Sequence, residues 1–372
     1  MAPSIRQTLV CKEFILLADL LALPCDEIIL APMAYSKVGF LTFEEYGQAK
    51  TQILQAGKRV VLLWDRIEKD SPLEKGLERL GQWLPDVAAV RVQDPGVAMG
   101  IKEKHPKVPI QLSLEQNSPN QRSIFRWASL IQPERLILSN QFPFTLIEAL
   151  DKATLPELEI PVLGPLEVFY SPRNLLSEDR SPTSVEAVSA ERPRQRNSLY
   201  QSDAGTVMFH SRDLYLLDQF EVIQTAGICW VKLEPRSKEQ CQWLASCQSK
   251  EDFQQIKSKW PVKVTRGFFS ANRTDRPLKR LVNRSLAPHR EQAIGQVIEA
   301  KKSSHLLIEL SQSVKLPLNL LLINPEGREV KFQLNQLKTL QGATMDGMAN
   351  PGLYIIDWIK GGLARSLLLH HL

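Results

Sequence analysis

The stretch VLGPLEVFYSPRNLLS, Val162–Ser177, begins as a short apolar strand, reaches Gly164-Pro165 and runs on into a polar turn. Gly and Pro interrupt regular strands, and binding or catalytic residues concentrate in loops that a rigid framework positions. We therefore predict that a strand ends near Gly164 and that the candidate site lies just beyond it.

The same pattern of a short apolar run followed by a helical segment recurs along the chain. The predicted strands are Thr8–Val10, Glu27–Ala31, Arg59–Leu63, Ala88–Val92, Val108–Leu112, Arg135–Leu138, Ile160–Leu163 and Ile228–Leu233. Helical spacing is found in Thr42–Gln55, Pro72–Trp83, Thr145–Ala153 and Ser211–Ala226. Strands that alternate with helices predict a parallel sheet with crossovers, and eight such units favour an α/β fold of the TIM-like β/α barrel type.

Two parts of the chain depart from this rhythm. Residues 178–201 are rich in Ser, Pro, Arg and Glu, which predicts a mobile insertion. After the eighth unit, alternating patterns predict strands at Ala293–Ala300, His305–Leu310, Leu318–Ile323, Val330–Leu334 and Leu353–Ile356. We predict two domains: a barrel at residues 1–262, and a basic linker with a small all-β C-terminal module at residues 263–372.

Composition sets limits on the class of protein. With 43% hydrophobic and 23% charged residues, the 372-residue chain has ample material for a folded core. Five cysteines without CxxC spacing argue against a disulfide framework and a zinc ribbon, so we expect reduced thiols. The sequence has no run of about 20 apolar residues that could span a bilayer, and we expect a cytoplasmic protein that does not interact with membranes.

Polar residues follow most of the predicted strands, and in a β/α barrel the carboxyl ends of the strands carry the active site. The ligand-binding candidates are Asp94, Glu115, Asn140, Gln141, Arg173, Glu234, Arg236 and Lys238. Two arginines and a lysine can hold an anionic ligand such as a dicarboxylate. The alternative is a structural ion pair of Glu234 with Arg236 or Arg173.

A basic stretch lies between the two predicted domains. Ten lysines and arginines in Lys257–Arg290 face the single acid Asp275, and Trp260, Phe268 and Phe269 lie among them. Clustered cations with aromatic residues suit a phosphate backbone and unstacked bases. The nucleic-acid-binding candidates are Arg266, Arg273, Arg276, Lys279, Arg280 and Arg284. The alternative is a solvated basic surface without a function.

The motifs of the chain resemble those of a known family. The spelling G-P-L-x-V-x-Y-S-x-R-x-L-L-S at residues 164–177 is similar to the signature of the U-32 peptidase family, the collagenase-like proteins. Further stretches resemble family motifs in the same order: Asp94–Gly96, Ser113–Glu115 with Asn120, Arg135–Gln141, Ser211–Leu214 and Lys232–Lys238. The C-terminal part resembles the β-module of longer members that assist hydroxylation of the wobble uridine in tRNA. By resemblance, those members hold a 4Fe–4S cluster on four cysteines and use prephenate.

The chain departs from the family where the family's chemistry is carried. Glu167 and Asn174 stand at two of the family's cysteine positions. Carboxylate and amide groups are poor substitutes for thiolates on iron, so we expect no cluster, no other metal and no other cofactor. Glu115 stands for a family Gln, and Asn140-Gln141 stand for a family Arg-Glu pair. Such replacements are typical of a pocket kept for binding, or of a site that has lost its chemistry.

Three functions remain open at this point. The first is an RNA-associated factor related to tRNA modification that has lost its cluster, a pseudoenzyme or binding subunit with an anionic ligand at the barrel mouth. The second is an active hydrolase or peptidase, as the family name suggests, although the sequence has neither an H-E-x-x-H nor a G-x-S-x-G motif. The third is a non-catalytic scaffold whose basic face binds an acidic protein partner.

Overall fold

The computed structural model describes residues 5–115, 120–177, 182–189, 192–247, 250–270 and 283–371. The chain divides into two compact units. The first comprises Met1–Glu186 and Asn197–Asp275, and the second comprises Ala187–Arg196 and Arg276–Leu372.

The first unit contains a closed parallel barrel. The strands up to residue 270 are β1 (Arg6–Cys11), β2 (Glu27–Leu30), β3 (Arg59–Trp64), β4 (Ala89–Val92), β5 (Ile110–Ser113), β6 (Arg135–Ile137), β7 (Glu157–Ser171), β8 (Thr183–Ser189), β9 (Arg192–Ser202), β10 (Gly205–Tyr215), β11 (Trp230–Leu233) and β12 (Val264–Thr265). Strands β1 to β7 pair in chain order, and β11 closes the ring by pairing with both β7 and β1. All eight pairings of the ring are parallel. The predicted TIM-like barrel is confirmed.

Helices connect the barrel strands and cover the barrel. They are α1 (Leu17–Leu21), α2 (Phe43–Gln55), α3 (Asp70–Leu80), α4 (Pro95–Lys104), α5 (Gln121–Ile131), α6 (Phe144–Glu148), α7 (Phe220–Thr225), α8 (Lys238–Ala245) and α9 (Lys250–Lys259), with short 3-10 helices at Phe14–Leu16 and Leu217–Gln219. A further 3-10 helix, Ala287–Gln292, lies in the second unit. Helix α2 shows how the sequence sets a boundary. Thr42 and Glu45 form a capping box at its start, and Tyr46, Ala49 and Ile53 form its buried face.

The interior of the barrel changes along its axis. At the N-terminal ends of the strands, which we call the base, the interior is filled by buried charged and polar side chains. An apolar layer of Val10, Ile29, Val61 and Ala89 follows, with Leu63 packed against it. At the C-terminal ends of the strands, which we call the mouth, the interior is polar again. Interiors of such barrels are usually filled by branched apolar residues, so the charged base departs from the usual pattern.

The base is held by a network of two arginines and two glutamates on four strands. Arg135 lies 2.8 Å from Glu27 and 2.9 Å from Glu159, while Arg91 lies 2.6 Å from Glu159. The guanidinium of Arg91 also donates to Gln111 at 2.7 and 2.9 Å. Buried charges are tolerated only when they are paired and hydrogen-bonded, and here each of the four charged groups has at least two polar partners.

Strand β7 continues beyond the barrel and forms an antiparallel sheet with β10, β9 and β8, in that order. Residues 178–201 were predicted to be an irregular mobile insertion, and the structure instead has β8 and β9 within this range. Strand pairing is made by the main chain, so a polar composition does not prevent it when β10 offers a free edge. Whether these strands are mobile stays a prediction. The predicted helix at Ser211–Ala226 also begins too early, because β10 extends to Tyr215.

The first unit reaches past the predicted boundary at residue 262, because β12 pairs with β10.

The second unit is built of antiparallel strands, which confirms the predicted all-β module. Its strands after residue 283 are β13 (Ala293–Lys301), β14 (His305–Leu310), β15 (Val314–Lys315), β16 (Leu318–Ile323), β17 (Glu329–Leu334), β18 (Leu337–Lys338), β19 (Thr344–Met345), β20 (Met348–Ala349), β21 (Gly352–Asp357) and β22 (Leu367–His370). Eight of them form one sheet in the order β17-β16-β22-β13-β14-β21-β18-β19, and β15 pairs with β20.

The predicted tight turn at Asn324–Gly327 joins β16 to β17. The side-chain oxygen of Asn324 accepts hydrogen bonds from the backbone of Glu326 at 3.0 Å and of Arg328 at 2.9 Å. Gly327 has a φ of +85°, a conformation that favours glycine. Among the residues that the structure describes, no helix is both long and apolar enough to cross a membrane.

Candidate functional site

The mouth of the barrel gathers side chains from strand ends that are far apart in sequence. Successive side chains alternate between the two faces of a strand, so every second residue points into the barrel. On β1 and β11 this alternation carries inward positions to Lys12, Lys232 and Glu234 near the mouth. Together with residues of β2 to β6, these side chains line a cavity of about 60 Å³, which we call the inner cavity.

Ion pairs span the inner cavity. Lys12 lies 2.5 Å from Glu234, and Lys232 lies 2.8 Å from Glu115. Burial raises the pKa of the Glu115 carboxyl, but the Lys232 ammonium beside it outweighs this effect, so the pKa lies below its ordinary value. Burial lowers the pKa of Lys232, and Glu115 and Glu234 raise it above its usual range. Both members of this pair are therefore charged at neutral pH.

A third lysine reaches the mouth from the loop after β2. The ammonium of Lys37 donates to both carboxylate oxygens of Glu167, at 2.8 and 2.9 Å, and to Oε1 of Gln93 at 2.7 Å. It also lies 4.8 Å from the ring centre of Tyr170. The loop is packed tightly, because a Cβ on Gly39 would overlap the carbonyl oxygen of Ala31. Lys37 thus ties the barrel to the extension of β7.

The two partners in this pair respond differently to burial. Burial lowers the pKa of Lys37, but Glu167 and Asp65 together raise it above its usual value. Burial raises the pKa of Glu167, and the neighbouring carboxylates Glu115 and Asp65 raise it further against the opposing effect of Lys37. Glu167 is therefore more easily protonated than an ordinary glutamate, while Lys37 keeps its charge.

Gln93 has a fixed orientation. Its Oε1 accepts from the Lys37 ammonium, which has only hydrogen atoms to offer, so the side-chain nitrogen must point the other way. Gln93 is 2% exposed, lines the inner cavity, and its Nε2 has no hydrogen-bond partner among the described residues. A buried N–H donor without an acceptor costs about 1–3 kcal/mol, so this group favours an acceptor inside the cavity.

A second cavity of about 170 Å³ lies beside the first, and we call it the outer cavity. It is lined by Glu115, Asn140, Gln141, Glu167, Val168, Phe169 and Tyr170. Glu115 lines both cavities, so its carboxylate marks where they adjoin. The outer cavity combines carboxylates, amides and aromatic rings, and Phe169 is exposed at its border.

Comparison with known proteins bears on this geometry. Residues 34–258, more than half of the chain, match peptidase family U32. The chain belongs to this family. The U32 protein is 24% identical to tRNA hydroxylation protein P of Escherichia coli (strain K12) over 204 residues, which are 40% of this chain and 45% of that protein. The match thus spans less than half the length of that relative. The family membership predicted from the motifs is confirmed.

Solved structures of family members are also similar to the U32 protein. The U32 peptidase Mk0906 is 12% identical to this chain, with a TM-score of 0.43. The match covers 64% of this chain and 95% of that chain. The C-terminal domain of a protein described as a U32 peptidase of Geobacillus thermoleovorans is 8% identical, with a TM-score of 0.21, and covers 22% of this chain and 94% of that chain.

The ligand-binding residues predicted from the sequence fall into two groups in the U32 protein. Glu115, Asn140, Gln141 and Glu234 line the two cavities. The other four do not line either cavity. Asp94 caps helix α4 through a bond from the backbone of Gly96 at 2.8 Å. The remaining three are Arg173, Arg236 and Lys238.

The three cations that were expected to bind an anion, Arg173, Arg236 and Lys238, do not line either cavity. Arg236 forms an ion pair with Asp213, whose carboxylate also accepts from the indole of Trp260 at 2.9 Å. Arg173 lies exposed beyond the end of β7, and Lys238 is exposed at the start of α8. The predicted alternative, a pair of Glu234 with Arg236 or Arg173, is also wrong, since Glu234 pairs with Lys12.

The predicted ligand-binding residues did not include Lys12, Lys37 and Gln93, which line or adjoin the cavities. Lys12 and Gln93 each lie one residue beyond a barrel strand, at an inward position of the alternating pattern. That signal was available, because the other candidates were chosen among the polar residues that follow the predicted strands. Lys37 gave no such signal, since it lies in a loop seven residues after Leu30 and reaches the mouth only through the fold.

The nucleic-acid candidates lie partly outside the described residues, which include none of Arg273, Arg276, Lys279 and Arg280. Arg266 pairs with Asp218 at 2.9 Å, and Arg284 is exposed. Two of the interleaved aromatics are unsuited to stacking on bases, because Trp260 and Phe269 are buried in the hydrophobic core. In the part of the chain that the structure describes, no group of His, Cys, Asp and Glu has an arrangement that could hold a metal ion.

Proposed function

We propose that this U32 protein is an RNA-associated factor related to tRNA hydroxylation, that it works without an iron–sulfur cluster, and that its barrel mouth binds a ligand with an anionic group. The observation that carries the proposal is the similarity to tRNA hydroxylation protein P over 204 residues. A cytoplasmic location, expected from the sequence, stays a prediction.

The donor set at the mouth supports a cluster-free protein. At one of the family's cysteine positions, the carboxylate of Glu167 is bound by Lys37 at 2.8 Å. Soft thiolate sulfur suits iron, whereas a carboxylate held by an ammonium has its lone pairs engaged elsewhere. The residues present there do not fit an iron–sulfur cluster.

The two buried cysteines, Cys11 and Cys241, do not replace the missing ligands. Cys11 and Cys241 are buried in the core of the barrel unit. Burial raises the pKa of Cys11 to about 12 and that of Cys241 to about 11. The thiolate is the form that binds metal, so both groups are kept in the form that does not.

The inner cavity supports binding of an anionic group. The ammonium groups of Lys12 and Lys232 line it, and the free N–H of Gln93 needs an acceptor. A carboxylate oxygen supplies such an acceptor, and charge-assisted hydrogen bonds are stronger than neutral ones. These three donors take the place of the trio Arg173, Arg236 and Lys238 predicted from the sequence.

The basic stretch supports binding of RNA. Residues 273–280 contain four cations and only one acid, Asp275. Each phosphate contact to a single strand adds about 0.7 to the slope of log affinity against log salt concentration. An RNA-binding role therefore predicts a strong dependence on salt.

One purification tests the proposal through two readouts. The protein is purified and reconstituted without oxygen, then assayed for iron and acid-labile sulfide, and copurifying nucleic acid is sequenced. We expect no stoichiometric iron and an enrichment of tRNA. Four irons per chain would overturn the cluster-free proposal, and the absence of RNA would overturn the RNA-associated one.

The test variant has Arg273, Arg276, Lys279 and Arg280 replaced with Ala, and Arg266→Ala is its matched control. The test variant should lose RNA affinity and flatten the salt dependence by up to about 3 in slope, at about 0.7 for each contact. Arg266→Ala removes a cation that is already paired with Asp218, so its slope should change less. If the quadruple variant binds RNA with unchanged affinity and slope, the basic stretch is a solvated surface and the scaffold alternative gains support.

A further inference from the structure

The inner cavity is balanced in charge. Among the described residues, three cations line it, Lys12, Arg91 and Lys232, and so do three carboxylates, Asp65, Glu115 and Glu234. Two of the cations are already paired across the cavity, and Arg91 is held by Glu159 at 2.6 Å. A dianion would add two charges that the lining does not compensate, and each uncompensated buried ion costs several kcal/mol. The cavity therefore favours a ligand without net charge.

The same cavity is not suited to an apolar ligand. The buried N–H of Gln93 requires an oxygen acceptor, and its orientation is fixed by the bond from Lys37. On the acceptor side, Asp65 uses Oδ1 to accept from the backbone of Lys37 at 2.7 Å. A carboxylate has about four lone-pair positions, so Asp65 can accept a further donor. The lining thus offers both a donor and an acceptor to one small ligand.

Size limits the ligand further. The inner cavity of about 60 Å³ has room for a few water molecules, which is the space for a small polar head group. The outer cavity adjoins it at Glu115 and has about 170 Å³. Its lining by Asn140, Gln141 and the rings of Phe169 and Tyr170 suits a side chain that can form hydrogen bonds.

We propose that the two cavities form a binding site for a free L-α-amino acid. The carboxylate of the ligand accepts from Gln93 and lies near Lys12 and Lys232, while its ammonium group donates to Asp65 and Glu115. Its side chain occupies the outer cavity. This inference rests on the proposed function for the anionic group at the mouth, and it adds the positive group and the ligand class.

The test is a binding screen on the full chain. Each of the standard L-amino acids is added at about 10 mM, and the melting temperature is compared with that of the free protein, since a ligand that binds only the folded state raises it. We expect at least one amino acid to raise the melting temperature. Calorimetry then compares that amino acid with its 2-hydroxy acid, which lacks the ammonium group, and with its amine, which lacks the carboxylate. Each analogue should bind at least about tenfold more weakly, a difference of about 1.4 kcal/mol.

Two variants locate the head group. Asp65→Asn keeps the shape of the side chain and should weaken binding of the amino acid about tenfold, with the affinity for the 2-hydroxy acid little changed. Gln93→Leu removes the donor and should weaken both. Glu74→Gln is the matched control, because Glu74 forms an exposed surface pair with Lys104 and should change neither affinity. The circular dichroism spectrum and melting temperature of each variant show whether it is folded.

Several results would overturn the inference. One is that no standard amino acid binds, and another is that a dicarboxylate such as succinate binds more tightly than all of them. A third is that Asp65→Asn weakens the amino acid and the hydroxy acid equally. The RNA and iron measurements are independent of this screen, so a failure here with RNA still bound rejects the ligand class without rejecting the proposed function.

Discussion

The base and the mouth of the barrel use the same kinds of charged residue in different arrangements. At the base, Arg135 bridges Glu27 and Glu159, while Arg91 binds Glu159 and Gln111, so each charged group has several partners. At the mouth, lysines form separate pairs with Glu234, Glu115 and Glu167 around two cavities. Both ends keep a buried donor that has no hydrogen-bond partner among the described residues, the Nε of Arg135 at the base and the Nε2 of Gln93 at the mouth, but of these two only Gln93 lines the inner cavity.

This difference separates a structural role from a binding role. Arginine has a planar group with five donors, which suits a network of fixed geometry, whereas lysine is a point charge on a flexible stem. The base therefore holds strands together, and the mouth can exchange partners with a ligand. Buried charge or an unsatisfied donor by itself would have indicated a functional site at both ends, and what distinguishes the mouth is the cavity that its unsatisfied donor lines.

The largest expected effect comes from breaking the base. Arg135→Met leaves Glu27 and Glu159 without a cation that lies within 3 Å of both. Removal of one partner from a buried ionic network costs about 3–5 kcal/mol, so the free energy of unfolding in urea should fall by that amount. Lys104→Met is the control, because Lys104 pairs with Glu74 on the surface and has no contact with the base network, and surface pairs contribute little to stability. Equal losses in the two variants would mean that the base network is no stronger than a surface pair.

A smaller effect is expected at the mouth. Lys37→Met removes the partner of Glu167 and of Gln93 Oε1, but Glu167 can take up a proton because its pKa is already raised by burial. The remaining cost is that of an unsatisfied buried polar group, about 1–3 kcal/mol in the same urea measurement. Lys104→Met is again the exposed control and should leave the free energy of unfolding nearly unchanged. A loss at Lys37 larger than that of Arg135→Met would reverse the comparison between the two ends.

The sequence predicted the architecture better than the site. Strand and helix periodicity is local, so the barrel, the all-β module and the turn at Asn324 could be read from it. The strands β8 and β9 could not, since their main chains pair with a neighbour whose position depends on the whole fold. Glu115 and Glu234 were found because they follow strands directly. Lys37 was not, because it reaches the site from a loop, and side chains that only the tertiary structure brings together leave no periodic signal.

The base network was missed for a different reason. Glu27, Arg91 and Arg135 lie within predicted strands and Glu159 directly precedes one, but the strands were predicted from their apolar residues and these charges were given no role. Their complementary signs on different strands can be paired only when the order of strands around the barrel is known. Arg236 shows the reverse error, because a family motif suggested a ligand contact where the structure has an ion pair with Asp213.

The smallest effect is a dependence on pH of opposite sign at the two ends. Burial raises the pKa of Glu159, but Arg91 and Arg135 outweigh it and hold the pKa below the ordinary value of 4.5. Such a group stabilises the fold above pH 4.5, and the stabilisation is lost as the pH falls through the lowered pKa. The pKa of Glu167 is raised above 4.5, so its contribution to stability is complete below that pH and is lost as the pH rises through the raised pKa.

The measured quantity is the free energy of unfolding of wild type minus that of the variant. For Glu159→Gln we expect this difference to fall as the pH falls below 4.5, and for Glu167→Gln we expect it to fall as the pH rises above 4.5. Urea unfolding of the three proteins across this range measures both trends, and two differences that change in the same direction would show that the mouth pair is as firmly ionised as the base.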